Sequence, residues 1–275
     1  MSFSAEVSRI IDPLIDACAT IYRYGWAENH AGNLSYRLDA DEVAQFPRNS
    51  DPRSFTFPTP FAALGGQSFI VTAAGSPFRL LEGAPQVHLG LITLTDDGSG
   101  YSIIWGFTSG KVPTSELPAH LLGHQERQVA HPDNRVVLHC HATNVVAMTH
   151  IHEPDEGAMT RTLWSTNSEC VLAFPDGIGL LPWMVCGTDL IGRESAQKFR
   201  DSRLVIWSQH GVLASGASID ETLGLIESVE KAAEVYLLTV GRAEHSINDG
   251  QLRELAVAFK LSPREDLLPL VAPAL

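Results

Sequence analysis

Between residues 4 and 24, apolar positions recur at helical spacing: Val7, Ile10, Ile11, Leu14, Ile15, Cys18, Ile21 and Tyr22 share one face. Pro13 lies inside this run and predicts a kink. Residues 25–32 read as a turn-rich loop, and 33–38 alternate as a strand does. Residues 40–66 are rich in Pro, Phe and polar side chains and show no clear period, so they read as an irregular surface insertion. Three strands follow, at 68–72, 87–95 and 101–105, the last two joined at the Asp96-Asp97-Gly98 turn.

The second half alternates helices and strands. Residues 114–129 read as a helix entered through Pro113, Thr114 and Ser115. The β-branched run 136–138 predicts a strand that carries His139-Cys140-His141, followed by a short helix from Asn144. Strands are expected at 171–174 and 179–181 around the Pro175-Asp176-Gly177 turn, a helix at 187–200 and a strand at 204–207. Gln209-His210-Gly211 breaks the chain before a strand at 212–214. Ser218-Ile219-Asp220-Glu221 is a capping-box pattern that opens a helix to about Val240, and a last helix covers 251–261. Short turns between strands predict a largely antiparallel central sheet covered by helices, one α/β domain over residues 1–275.

Composition narrows what such a domain does. Hydrophobic residues make up 44% of the 275, enough for a sizeable core, and the formal net charge is −13. An acidic chain is a poor match for nucleic acid, which demands a basic footprint. Any anionic substrate must be held locally, by backbone N–H groups and helix N-termini. The four cysteines, Cys18, Cys140, Cys170 and Cys186, show no paired spacing and read as free thiols of a reducing cytosol. No apolar run reaches the length of a membrane span, and MSFSAEVSRIID lacks the form of a signal peptide. A cytoplasmic protein is the expectation. The apolar segments LLPWMV and LLPLVAPAL point to a homo-oligomer.

Candidate chemistry centres on His139 and His141. At i and i+2 of a strand the two imidazoles share a face, while Cys140 points to the other. A third ligand is best supplied by His210, which leaves an apolar strand just before a glycine. Three protein ligands with an open position suit a catalytic metal such as zinc. His30, His88, His120, His124, His131, His150, His152 and His245 read as surface or packing residues. Glu116, in PTSELPAH, has two readings: a catalytic acid/base beside the metal, or an ordinary first-turn carboxylate facing the helix dipole. Ala31-Gly32-Asn33, Thr72-Ala73-Ala74-Gly75 and Thr114-Ser115 are either anion-binding loops or plain turns.

The segments GWAENHAGNLS, FIVTAAGSPFR, VPTSELPAH, VLHCHATN, LLPWMVCGTDLIG and QHGVLASG occur in this order along the chain. Together they resemble the class II sugar-phosphate aldolases, nearest to the branch that acts on rhamnulose 1-phosphate. The resemblance implies a class II aldolase/adducin-like fold, one zinc ion on His139, His141 and His210, and Glu116 as acid/base. It implies a substrate phosphate held among Gly32, Asn33, Gly75, Thr114 and Ser115, with His30 where the family commonly has Asn and Ala74 where it has Ser. It further implies that Glu169, in Ser168-Glu169-Cys170, serves the active site of a neighbouring subunit in a homotetramer. The implied reaction is reversible cleavage of L-rhamnulose 1-phosphate to dihydroxyacetone phosphate and L-lactaldehyde. Other branches of the fold cleave fuculose 1-phosphate, epimerise ribulose phosphate, dehydrate methylthioribulose phosphate or, in adducins, serve interaction only. A Schiff-base lysine is not needed, and Lys111, Lys198, Lys231 and Lys260 sit in exposed-looking contexts.

Overall fold

The computed structural model describes residues 3–268. Of the C-terminal LLPLVAPAL segment only Leu267 and Leu268 lie within the described residues. Among the described residues nine strands form one sheet: β1 (Asn33–Leu38), β2 (Arg53–Thr56), β3 (Ser68–Thr72), β4 (Leu89–Leu94), β5 (Gly100–Gly106), β6 (Val136–Cys140), β7 (Gly179–Leu181), β8 (Leu204–Trp207) and β9 (Gly211–Gly216). Their order is β2-β5-β4-β3-β1-β6-β9-β8-β7. Every pairing is antiparallel except β7 on β8. The helices are α1 (Ala5–Arg23), α2 (Ala40–Val43), α3 (Pro85–His88), α4 (Leu117–Ala130), α5 (Thr143–Met148), α6 (Glu156–Thr166), α7 (Ser168–Ala173), α8 (Asp189–Lys198), α9 (Ile219–Thr239) and α10 (Asp249–Ala258). Among the described residues no helix is long and apolar enough to cross a membrane.

Strand alternation sorts the core into two layers. Leu138 and Cys140 of β6 face one side with Val212 and Ala214 of β9, against α1, α5, α6 and α9. Val137, Val205, Trp207 and Leu213 face the other, against α8 and its neighbour α4. Leu117 and Leu121 of α4 close a further cluster with Phe69, Val71 and Ile92. His139 lies between Leu138 and Cys140 in sequence and so turns to the α4–α8 side, as the alternation requires.

Several expectations are corrected. Residues 171–174 are not a strand; 171–173 belong to α7 and Phe174 is its C-cap, and at the other end the Asn167 side chain accepts from Glu169 N and caps the helix. A short apolar run satisfies either period, and the cap decided it. The stretch 40–66 holds α2, opened by a reciprocal Asp39–Glu42 capping box, and the edge strand β2. The first turn of the expected strand at 87–95 is helical, with β4 starting at Leu89. Helix α1 runs unbroken through Pro13. α6 was not anticipated; Asp155 caps it, and its buried side chains include Met159, Leu163 and Trp164. Two lysines are partly buried: Lys111 donates to the carbonyls of Ala74 and Gly75, and Lys198 pairs with Glu156.

Candidate metal centre and acid/base site

Three neighbouring strand ends build the site. β6 ends at Cys140, so His139 leaves the strand's last turn and His141 stands just beyond it. β8 and β9 are joined through Ser208, Gln209 and His210, with Trp207 paired to Gly211. Gln209 takes a left-handed backbone (φ 56°) and is held by its N–H to Thr149 Oγ1, 2.9 Å, which swings His210 back over β6. Gly211 must be glycine: a Cβ there would lie 2.4 Å from the Cys140 carbonyl oxygen and 3.0 Å from the His139 ring.

The result is a group of three imidazoles, one ring nitrogen from each within 4.8 Å of the others. On two of the three rings the far nitrogen is already used. His139 Nδ1 donates to the Val212 carbonyl at 2.8 Å, and His141 Nδ1 donates to Glu28 Oε1 at 2.7 Å. Such partners fix the tautomer that leaves Nε2 with a free lone pair. Trp207 packs on His139 and His210, with ring centroids 4.6 and 5.1 Å away, and its own N–H is anchored on Ser195. Burial, and then the neighbouring His141, push the His139 pKa down to about 3; burial and the two other imidazoles bring His210 to about 4. Neutral imidazoles are the form that binds a metal, so the donor set fits a divalent first-row ion with room for substrate.

Glu116 sits at the N-terminal boundary of α4 but does not cap it. Its carboxylate turns inward instead, 8% exposed, with Oε2 3.8 Å from His139 Nε2 and 2.7 Å from Asn33 Nδ2. Of its two readings, the geometry therefore favours a carboxylate aimed at the metal centre. The expected phosphate loops also converge. β1 and β3 are adjacent, and Ala73 bridges to Pro113 just before α4. Gly32, with φ 82°, is buried against Phe78 and the His139 carbonyl, and Gly75, with φ 61°, is open. Thr114 is buried, Ser115 exposed, and His30 lies at the exposed rim. Within the Thr72–Gly75 loop the Ala74 N–H is not available to an anion, because it donates to the Val112 carbonyl at 2.9 Å. Asn33 is buried, and both ends of its amide are engaged, with Glu116 and His120.

Glu169 is not brought to this cluster within the chain. It is exposed on α7 and lines a separate cleft of about 920 Å³ with Tyr24, Trp26, Asn144 and Glu227. Three residues escaped the sequence reading. Glu28, inside GWAENHAGN, orients His141 from 113 positions away. Cys186, exposed in the loop before α8, presents its sulfur within 4.8 Å of Glu116 and His210 ligand atoms. His120, fully buried on α4, reaches Asn33; its placement one helical turn before His124 was the signal available.

This arrangement has relatives. The Class II Aldolase and Adducin N-terminal domain family matches residues 12–237. A rhamnulose-1-phosphate aldolase of Listeria monocytogenes is 43% identical over 264 residues, covering 94% of this chain and 96% of that protein. One from Salmonella choleraesuis is 42% identical over 261 residues, covering 93% and 95%. Among solved structures, a sugar-phosphate aldolase from Thermotoga maritima superposes with a TM-score of 0.71 at 26% identity, covering 86% of this chain and 97% of that one. An L-fuculose 1-phosphate aldolase shares the fold, with a TM-score of 0.59 at 17% identity over 95% of this chain and 99% of that one. A match across most of the length, on relatives above 40% identity, establishes that this chain is a member of the class II aldolase and adducin family, among its lyase enzymes.

Proposed function

We propose that the protein is a zinc-dependent aldolase that reversibly cleaves L-rhamnulose 1-phosphate to dihydroxyacetone phosphate and L-lactaldehyde. The observation that carries this is the Glu116 carboxylate standing 3.8 Å from His139 Nε2, beside three converging imidazoles. His139, His141 and His210 would hold the ion. When bound, it supplies Lewis-acid stabilisation of the negative charge that develops on a substrate oxygen during carbon–carbon cleavage. Glu116 moves the proton at the substrate carbon that becomes nucleophilic in the aldol direction. Asn33 holds one carboxylate oxygen of Glu116 by a 2.7 Å hydrogen bond, which leaves the other free for that transfer.

The substrate phosphate would sit among Gly32, Gly75, Thr114 and Ser115, with His30 at the rim. At a net charge of −13 these local donors must overcome the field of the whole chain. Glu169, remote from the triad in its own chain, would reach the site of a neighbouring subunit in a cytoplasmic homotetramer. The exposed Trp183 and Val185 before α8 support burial against another copy.

The test is cleavage of L-rhamnulose 1-phosphate, L-fuculose 1-phosphate and L-ribulose 5-phosphate by zinc-loaded protein. Rhamnulose 1-phosphate should be turned over fastest. Interconversion of pentulose phosphates without cleavage would sink the aldolase reading. Mixing inactive Glu116→Ala and Glu169→Ala subunits should recover part of the activity; a fully active monomer in sedimentation would remove the shared-site reading.

A further inference from the structure

Behind Glu116 runs a line of buried polar side chains that the proposed reaction does not use. Asn33 Nδ2 donates to Glu116 Oε2, and the Asn33 Oδ1 end meets His120 Nε2. His120 Nδ1 lies 2.8 Å from Ser35 Oγ, and Ser35 Oγ lies 2.8 Å from His124 Nε2. Ser35, His120 and His124 are 0% exposed. His124 Nδ1, at the far end, has no hydrogen-bond partner among the described residues.

Donor and acceptor rules leave one consistent proton arrangement. An ionised carboxylate only accepts, so the Asn33 N–H₂ must face Glu116 and its carbonyl must face His120. His120 must then carry its hydrogen on Nε2. Burial keeps its ring neutral, with a pKa lowered to about 4, so Nδ1 is a bare acceptor. It takes the Ser35 hydroxyl hydrogen. Ser35 Oγ in turn accepts from His124 Nε2–H, and His124, also neutral by burial, ends on an unused lone pair. Every hydrogen points toward Glu116. The line is not a proton wire, since the Asn33 amide cannot pass a proton along in its ordinary form. What it can do is hold an orientation.

We infer that His120, backed by Ser35 and His124, is a positioning residue for Glu116: it locks the Asn33 amide so that its N–H pins one carboxylate oxygen beside the metal centre. A His120→Phe change leaves Asn33 Oδ1 without its donor and frees the amide to turn. His120→Gln keeps the polarity, because a carboxamide donates to Asn33 and accepts from Ser35 as the neutral ring does.

The inference rests on the aldolase reading for its kinetic arm only. His120→Phe should lower kcat by about 10- to 100-fold, the usual cost of a misplaced group, with KM and zinc content unchanged. Deuterium exchange into dihydroxyacetone phosphate should fall by the same factor, and His120→Gln should restore most of both. A His120→Phe enzyme with normal kcat, or a His120→Gln enzyme as slow as His120→Phe, overturns the inference. The second arm needs no substrate. Ring ¹⁵N chemical shifts should show His120 and His124 as neutral Nε2–H tautomers, and a His120 Nδ1–H tautomer overturns the inference even if the protein catalyses another reaction. If wild type neither cleaves nor exchanges but the tautomers are as stated, the aldolase reading falls and the positioning line stands.

Discussion

Two groups of histidines flank Glu116, and they are wired in opposite senses. At the ends of β6 and β8, His139 and His141 spend Nδ1 on protein acceptors and turn Nε2 toward a common point shared with His210. On α4, His120 spends both nitrogens inside the protein, on Asn33 and Ser35, and faces no solvent. His139 in the first group and His120 in the second are both buried and electrically neutral at neutral pH. What separates a ligand from a strut is the direction of the lone pairs, which is set by the partner on the other nitrogen.

The largest effect that would test this contrast is loss of the convergent pair. A His139→Ala, His141→Ala double variant should lose most of its zinc and show no cleavage, because two of the three imidazoles are gone and the set that remains, Glu116, Cys186 and His210, would tie up the carboxylate needed for proton transfer. Elemental analysis of dialysed protein checks it, and full metal retention would remove the ligand assignment. Truncating the α4 pair should leave zinc in place. Zinc loss of equal extent on His120→Phe would erase the distinction drawn between the two groups.

The shared neighbour comes next. Glu116→Gln should keep fold and metal while slowing cleavage by roughly 10²–10⁴-fold, the range for a positioned acid/base. The amide is nearly isosteric, and Glu116 makes no capping bond whose loss would loosen α4. Unchanged single-turnover cleavage would show that Glu116 merely fills space.

How much of this contrast could be read from the chain depends on distance along it. His139, Cys140 and His141 alternate in a strand, so their faces follow from local geometry alone. His210 announced itself by the glycine that follows, which the crowding at Cys140 and His139 explains. Glu28 could not be paired with His141 in advance, since residues 113 positions apart meet only after β1, β6 and the loop before β1 are assembled. The i, i+4 spacing of His120 and His124 shows a common helix face. Nothing local shows that Ser35, on a strand 85 and 89 positions earlier, lies under that face. The misread strand at 171–174 has the same origin: four apolar residues carry no period, and the deciding cap lies outside them at Asn167. Motif similarity compensated for distance at the three clustered imidazoles and at Glu116, which the family segments bring together and the fold places side by side. It did so less well at the loops expected to hold a phosphate, where the Ala74 N–H is committed to Val112.

A smaller effect sharpens the ligand side. Glu28 accepts from His141 Nδ1 at 2.7 Å, and that bond brings its own pKa below the usual carboxylate range despite partial burial. Glu28→Gln keeps an acceptor but removes the charge, and should weaken zinc binding by roughly 10-fold, at the low end for an outer partner of a ligand. Competition with a chelator measures it. An unchanged affinity would mean that ring orientation, not carboxylate charge, is what Glu28 contributes.

The smallest effect belongs to the strut side and concerns stability rather than activity. His120 titrates near 4 when folded, chiefly because it is buried; Glu116 pulls the other way but loses. In the unfolded chain its value returns to the ordinary 6.5. Above that pH the ring is neutral in both states and contributes no pH dependence. As the pH falls from 6.5 toward 4, the unfolded chain takes up a proton that the native state refuses, so stability is lost across that window and the loss levels off below it. For a fully buried ring the total is on the order of a few kcal/mol. Zinc-free protein should therefore melt progressively lower between pH 6.5 and 5. His120→Gln, which has nothing to protonate at that position, should show a shallower slope than wild type, while His124 keeps its share. The measurement is a set of thermal melts in chelator at matched ionic strength. Equal slopes for wild type and His120→Gln would mean that the ring is protonated in the native state, and a protonated His120 would put a donor against the Ser35 hydroxyl and undo the one-way arrangement on which its role as a strut depends.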